Sequence, residues 1–162
     1  MGDNMKFILM DGNNLESAAA CFMETFNGEP WHDRWTLESA CQRLERMSMN
    51  QGFLGLLCLE GDRAVGLILG QEEIWFDGKQ FHLCEFCVLP AFQGVGVGTA
   101  LLQALLEELG HRQVGRVWLN TERGDGTEGF YRKRGFATNE QLVTMSRRID
   151  TDIQSPVGVR GG

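Results

Sequence analysis

The sequence lacks the features that would place the chain in a membrane or direct it out of the cell. Its 162 residues contain no apolar run near the roughly 20 residues that a membrane helix requires. Residues 1–4 lack the charged and apolar regions of a signal peptide. Basic residues are in deficit, with 15 Lys and Arg against 22 Asp and Glu and a formal net charge of −7. Because nucleic-acid-binding surfaces are typically basic, we expect a soluble, cytoplasmic protein with neither nucleic acid nor a membrane among its partners.

The chain also lacks the pattern of a metal site. Its cysteines are odd in number and lie in apolar contexts, as small buried hydrophobic residues do in cytosolic proteins; they are Cys21, Cys41, Cys58, Cys84 and Cys87. Cys84 and Cys87 have the spacing of a metal or redox pair, but no second pair or nearby histidine completes a zinc site. We therefore expect no metal. The histidines share no spacing, and we expect surface or packing roles for His32, His82 and His111.

Hydrophobic periodicity predicts one mixed domain over residues 1–149, followed by a polar, glycine-rich tail at 150–162 that we expect to be disordered. Strands are predicted at 6–10, 53–60, 64–69, 72–76, 80–89, 115–120 and 142–148. Helical spacing predicts a first helix behind Asn13 or Asn14 and a second capped by Thr36. Because Ser39 stands where a capping box usually has Glu or Gln, we expect an incomplete box. A helix with Leu101, Leu102, Leu105, Leu106 and Leu109 on one face follows a glycine-rich turn, and a short helix covers 127–133.

A glycine-rich turn at residues 93–99 lies between a strand that ends at Pro90 and the leucine-rich helix. Glycines at alternate positions let the backbone approach a ligand closely, and the N–H groups at a helix start favour an anion. The turn lacks the Gly-Lys-Ser/Thr of a Walker loop. Thr99 replaces the third glycine of a dinucleotide fingerprint, and an antiparallel meander precedes the turn. A phosphate-bearing ligand is indicated; the alternative is a turn that only packs the helix on the strand.

Three segments together resemble the GNAT acyltransferase superfamily. Gln93-x-x-Gly96-x-Gly98 matches its signature after the fourth strand, and Glu85-Phe86-Cys87-Val88-Leu89-Pro90 is similar to the end of that strand. Gly129-Phe130-Tyr131-x-x-x-Gly135-Phe136 resembles its second landmark. The resemblance covers nearly the whole chain in element order. It implies an α/β (α+β) fold with a mixed, mostly antiparallel sheet splayed between strands 4 and 5 and helices on both faces.

The resemblance implies acetyl-CoA as the acetyl donor. Val88 would bind the pantetheine arm and the thioester carbonyl through backbone groups. The pyrophosphate would rest on the turn, formed by Gln93, Gly94, Val95, Gly96, Val97, Gly98 and Thr99. Many relatives carry an asparagine seven residues before the tyrosine, where this chain has Gly124. Asn120 is a candidate substitute; otherwise it is a polar residue that ends a strand.

The resemblance also implies two catalytic side chains. Tyr131, the one tyrosine of the chain, corresponds to the general acid that protonates the coenzyme A sulfur; its alternative role is packing the last helix on the sheet. Glu85 occupies the place on the fourth strand where some relatives carry a general base. A carboxylate in an apolar strand is costly to bury without a partner, so Glu85 either faces a wet cleft or forms a structural salt bridge.

The loop between the first two helices would wall the acceptor pocket. Two tryptophans with acidic neighbours can stack on and neutralise a cationic amine, which makes Glu29, Trp31 and Trp35 of this loop candidate acceptor residues. Trp75 on the neighbouring hairpin adds similar chemistry and is a further candidate. The alternative is that Trp31 and Trp35 seal the core. We expect a small-molecule amine, such as a polyamine or amino sugar, with a protein or peptide amino group as the alternative. A silent acyl-CoA sensor, a less favoured nucleotide-binding regulatory domain, and a homodimer are left open.

Overall fold

The computed structural model describes residues 5–150, and the statements below concern that range. The chain divides into two compact units, one ending at Trp118 and one beginning at Leu119. The expectations for residues 1–4, and for the tail after residue 150, fall outside the described residues. The prediction of one domain over residues 1–149 stays a prediction. No helix of the described chain is long and apolar enough to cross a membrane.

The first unit contains a five-stranded sheet whose strands lie side by side in chain order. The strands are β1 Met5–Leu9, β2 Phe53–Glu60, β3 Arg63–Trp75, β4 Gly78–Val88 and β5 Val114–Trp118. Pairing is antiparallel from β1 to β4, and β5 runs parallel to β4. Gly61 and Gly78 have φ of +60° and +140° in the two hairpin turns, where glycine tolerates the conformation that tight turns require. The predicted mixed, mostly antiparallel sheet is confirmed.

Helices cover both faces of this sheet. They are α1 Leu15–Asn27, α2 Leu37–Ser48 and α3 Val97–His111. The second unit contains one helix in the described chain, α4 Thr127–Arg132. A Cβ at Gly66 of β3 would meet Leu101 of α3 at 2.9 Å, whereas Cys87, the partner of the next residue, Leu67, interacts with Cys21 of α1. Because successive strand residues point to opposite faces, α1 and α3 lie on opposite sides.

Apolar side chains of the helices and of the sheet fill the core on either side of β2, β3 and β4. Phe22 of α1, Leu44 of α2 and Leu105 of α3 are 0% exposed, as are Leu57 and Ile68 of the sheet. Burying one such side chain contributes about 1.5–3 kcal/mol. These contacts hold the end of β4 and the start of α3 in fixed positions, which is what the candidate site depends on.

Two local predictions need correction. The capping box of α2 is complete, because the Ser39 hydroxyl accepts the Thr36 N–H at 3.0 Å while the Thr36 hydroxyl accepts the Ser39 N–H at 3.1 Å. Serine thus performs the task expected of Glu or Gln. The predicted strands at 64–69 and 72–76 are one continuous strand, β3, because Gly70 and Gln71 keep pairing with β4.

The final predicted strand, 142–148, is wrong. This segment has no regular structure in the described chain. Leu142, Val143 and Met145 are 72%, 81% and 87% exposed. The prediction rested on apolar composition, but a strand also needs a neighbouring strand for its backbone hydrogen bonds, and residues 142–148 pair with no strand of the described chain.

Candidate functional site

The turn that joins β4 to α3 exposes its glycines. Gly94 and Gly96 have φ of +74° and +96°, a conformation that L side chains rarely adopt. A Cβ built on either glycine would find no atom within 4 Å. Val95 between them is 53% exposed. A ligand can therefore approach this backbone closely from solvent.

Helix α3 begins at this turn without a side-chain cap, since its N-cap residue is Gly96. Its first hydrogen bond runs from the Ala100 N–H to the Gly96 carbonyl at 3.0 Å. The amides of Val97 and Gly98 precede that bond and point out of the helix end. Over 15 residues the peptide dipoles add a partial positive charge at this end. The turn and the helix start together suit a phosphate group.

Strand β4 has an open edge close to the glycine turn. Its pairing with β5 stops where His82 meets Trp118, but β4 continues to Val88. On the opposite edge the Leu89 N–H donates to the Val65 carbonyl of β3 at 2.9 Å. Because backbone groups alternate in direction along a strand, those of Val88 point to the open edge, as do those of Phe86. An extended ligand can add here as a further strand.

Gln93 connects the turn to this edge. Its side-chain Nε2 donates to the Val88 carbonyl at 2.9 Å, and its backbone N–H donates to the Pro90 carbonyl at 3.2 Å. These bonds hold the turn against the end of β4. The structure thus brings together Val88 and residues 93–99, the predicted ligand residues that lie next to each other in the first unit. The Gln93 side chain itself bonds to the protein backbone and holds the turn in position.

Glu85 is buried and ion-paired. Its carboxylate is 8% exposed, and its Oε1 accepts from Nε of Arg43 in α2 at 2.8 Å and also from Nη2 of that guanidinium. The Arg43 side chain is 42% exposed and lies 5.8 Å from the ring centroid of Trp35. Of the two arrangements that the sequence left open, the structure contains the salt bridge.

The predicted acceptor residues are divided between two places. Trp35 packs edge-on against Phe22 at 5.1 Å and donates its Nε1–H to Asp33 at 2.8 Å, while Trp31 packs against Phe26 at 5.8 Å. Both indoles are half-buried and seal α1, and the cation beside Trp35 is the chain's own Arg43. Glu29 is exposed in the same loop. Trp75 lies elsewhere, 52% exposed at the tip of the β3–β4 hairpin.

Sequence reasoning missed a polar cluster on the α2 side of the sheet. The imidazole of His82 stacks on the indole of Trp118, with centroids 3.7 Å apart and planes 5° from parallel. Glu73 Oε2 accepts from Trp118 Nε1 at 3.1 Å and from Gln80 Nε2 at 2.8 Å. Burial lowers the pKa of His82 from its usual 6.5, and Glu73 opposes that shift. His82 is thus a half-buried, neutral imidazole rather than a surface residue.

The second unit contains Tyr131 on α4. Its ring packs against Phe130 at 5.4 Å and against Phe136 at 5.3 Å. Burial raises the pKa of the Tyr131 phenol well above its usual value. The phenol is therefore protonated at physiological pH, as a proton donor must be. The turn after α4 depends on Gly135, whose φ is +87°.

The same unit contains Gly124, at the position where the resemblance predicted an asparagine. Gly124 has a φ of +127°, which strains a residue with a side chain, and its N–H donates to the Glu128 carboxylate at 2.8 Å. Hydrogen bonds from the Thr138 hydroxyl and the Gly124 amide lower the pKa of Glu128. Asn120, the predicted substitute, is exposed in the irregular segment after β5. A glycine therefore fits the conformation at residue 124.

Comparison with known proteins identifies relatives of the chain. Residues 15–136 match the model of the acetyltransferase (GNAT) family. A curated relative, the [ribosomal protein bS18]-alanine N-acetyltransferase of Haemophilus influenzae, is 29% identical over 89 residues, which are 54% of this chain and 58% of that protein. The chain thus matches less than two thirds of that relative's length. YdhI of Bacillus subtilis is 32% identical over 115 residues, 66% of this chain and 70% of that protein.

Among solved structures, the chain is similar to the aminoglycoside N-acetyltransferase AAC(6')-Iy in complex with CoA. The TM-score is 0.74 at 15% sequence identity, covering 92% of this chain and 98% of that one. At this identity the likeness shows a shared fold.

Proposed function

Because the chain belongs to the acetyltransferase (GNAT) family, we propose that it moves the acetyl group of acetyl-CoA to a primary amine by direct attack in a ternary complex. One observation carries this proposal. An uncapped helix start with two left-handed glycines lies directly beside the open edge of a strand. The first feature suits a diphosphate, and the second suits an extended amide-bearing arm. Acetyl-CoA contains both groups in that order.

The chain's own groups would bind the donor in two stretches. Backbone amides between Gly94 and Thr99 hold the pyrophosphate, with the open space above the glycines admitting it. The backbone of Val88 pairs with the pantetheine arm. Val88 and Phe86 direct their amides to the same edge, and one of these two amides faces the thioester carbonyl. Such a donor typically contributes about 3–4 kcal/mol to lowering the barrier, because negative charge develops on that oxygen.

Proton transfer needs one acceptor and one donor. The attacking amine loses a proton as its C–N bond forms, and the thiolate gains one as the C–S bond breaks. Tyr131 is the proposed donor to the thiolate, because it stands at the tyrosine of the Gly129-Phe130-Tyr131-x-x-x-Gly135-Phe136 segment that resembles the family's second landmark. The sequence indicates Glu85 as the candidate proton acceptor, which would act directly or through a water molecule. Its ion pair with Arg43 is the reason to test this role separately.

We assign the acceptor to small cationic amines such as polyamines or amino sugars. The net charge of −7 attracts a cation over a long range. Glu29, exposed in the α1–α2 loop, adds a local negative charge. A second candidate is a protein N-terminal amine, because a curated relative is named for acetylating an alanine of a ribosomal protein.

An acceptor panel tests the proposal. The folded protein is incubated with acetyl-CoA and, separately, spermidine, an aminoglycoside or a peptide with an N-terminal alanine. Thiol release gives the rate, and mass spectrometry identifies the acetylated product. We expect transfer to one of the cationic small molecules. Transfer to the peptide alone would move the assignment to protein amines, and acetyl-CoA binding with no transfer to any acceptor would indicate a sensor.

A further inference from the structure

If the donor binds as in the proposed function, the cluster around His82 lies further along the open edge of β4, in the direction in which the acetyl end points. A donor anchored by its pyrophosphate at residues 94–99 enters the open edge of β4 at Val88. It can extend along that edge only as far as the last paired rung, His82 with Trp118. Its reactive end therefore points towards that rung. No other histidine of the first unit lies on the sheet.

His82 also lies on the face of the sheet that α2 covers. A β-bulge adds one residue to β4 opposite the Leu69–Gly70 step. The side chains of β3 therefore still alternate regularly between the two faces of the sheet. Leu69 and Gln71 therefore share one face, and so do their partners Glu85 and His82. That face is covered by α2, because Arg43 of α2 reaches Glu85. The imidazole thus lies on the same side of the sheet as α2, the helix that follows the proposed acceptor loop.

We propose that His82, and not Glu85, accepts the proton of the attacking amine, through an intervening water. The imidazole nitrogen takes the proton as the C–N bond forms and the C–S bond of the thioester breaks; the departing thiolate receives its own proton from Tyr131 or solvent. Trp118 holds the ring flat by stacking, and Glu73 fixes Trp118 by accepting its indole N–H.

The neighbouring groups leave His82 as the suitable base. The charged residues beside it on its face of the sheet are Glu73 of β3, Glu85 of β4 and Arg116 of β5, and Arg43 of α2 reaches that face at Glu85. Burial is the larger influence on the imidazole and favours its neutral form, although Glu73 acts in the opposite direction. Glu85 is engaged by a guanidinium. A neutral histidine at physiological pH is ready to accept a proton.

Cys84, the other titratable neighbour on β4, is excluded as the base. Its thiol donates to the His82 backbone carbonyl at 3.3 Å. Burial, more than the nearby Glu85, raises the pKa of the Cys84 thiol to about 11. The thiol therefore stays protonated at physiological pH and does not compete with the imidazole for the proton of the amine.

The test compares pH profiles of kcat/KM for the wild type, His82→Gln and Glu85→Gln, with acetyl-CoA and the most active acceptor of the panel. Wild-type activity should fall on the acid side below about pH 6.5, as the imidazole becomes charged. His82→Gln should lose about 100-fold in kcat, lose that acid limb and keep its KM for acetyl-CoA. Glu85→Gln should keep the limb. Added imidazole should partly restore His82→Ala, which a packing role would not allow.

His111→Gln is the matched control, because His111 is exposed in the last turn of α3, and it should match the wild type. A wild-type profile without an acid limb would overturn the assignment even if the variants fail to fold. An acid limb that persists in His82→Gln, or disappears in Glu85→Gln, would overturn it as well. If the wild type acetylates nothing, the proposed function itself fails, and the assignment of His82 fails with it.

Discussion

Removing Arg43 should leave a buried carboxylate without its ion-pair partner. Arg43→Gln deletes the guanidinium that bonds Glu85, whose side chain is 8% exposed, while Arg43 is 42% exposed. Breaking a fully buried pair costs about 3–5 kcal/mol, whereas an exposed pair contributes about 0–1 kcal/mol. Because one partner of this pair is buried and the other is half-exposed, we expect a loss of about 2 kcal/mol. That loss corresponds to about 4–8 °C in Tm for a chain of this size.

The coupling energy between Arg43 and Glu85 is measured by urea and thermal unfolding of four proteins, namely the wild type, Arg43→Gln, Glu85→Gln and the double variant. The double variant should be more stable than the two single losses predict, by about 1 kcal/mol or more, because it no longer buries an unpaired charge. The control is Arg63→Gln, which breaks the exposed pair with Glu24, whose side chains are 60% and 54% exposed. It should lose less than about 1 kcal/mol. The reasoning would be refuted if the stability losses of Arg43→Gln and Glu85→Gln were additive in the double variant. It would also be refuted if Arg63→Gln lost as much stability as Arg43→Gln.

Three further predictions concern the glycine turn, the proton donor and the histidine. Gly96→Ala places a side chain at a φ of +96°, which costs about 1–2 kcal/mol, and calorimetry should find weaker acetyl-CoA binding; Gly110→Ala, in the same helix with no atom within 4 Å, should bind normally and serves as its control. Tyr131→Phe should lower kcat with an unchanged Kd for acetyl-CoA, and unaltered turnover at saturating substrates would discard the donor role. The pKa of His82 is lowered on folding, so the unfolded state binds more protons and stability should fall as pH drops below about 6.5. The Tm of His82→Gln should depend less on pH over that range, and parallel curves for variant and wild type would contradict this.

Local signals in the sequence were sufficient for the elements that surround the site. Turn residues such as Gly61 predicted the hairpins, and Pro90 and the three glycines located the end of β4 and the start of α3. These signals depend on nearby residues, whose backbone preferences act directly. The segment at 142–148 shows the limit of such reasoning, because strand formation also requires a partner that composition does not reveal.

The polar contacts of the site join residues that are far apart in the chain. Arg43 and Glu85 are separated by 42 positions, and Glu73 reaches Trp118 across 45. His82 meets Trp118 only because β5 returns parallel to β4 after α3. No spacing rule within one segment predicts these pairs. The sequence therefore located the glycine turn, while the ion pair of Glu85 and the stacked imidazole required the structure.

Calorimetric titration of acetyl-CoA into the folded protein tests the central claim most directly, because the whole account requires the backbone at residues 94–99 to hold a diphosphate. The account predicts saturable binding to one site per chain, weakened in Gly96→Ala and preserved in Gly110→Ala. The absence of heat and of saturation at millimolar acetyl-CoA, with the protein shown to be folded, would contradict it.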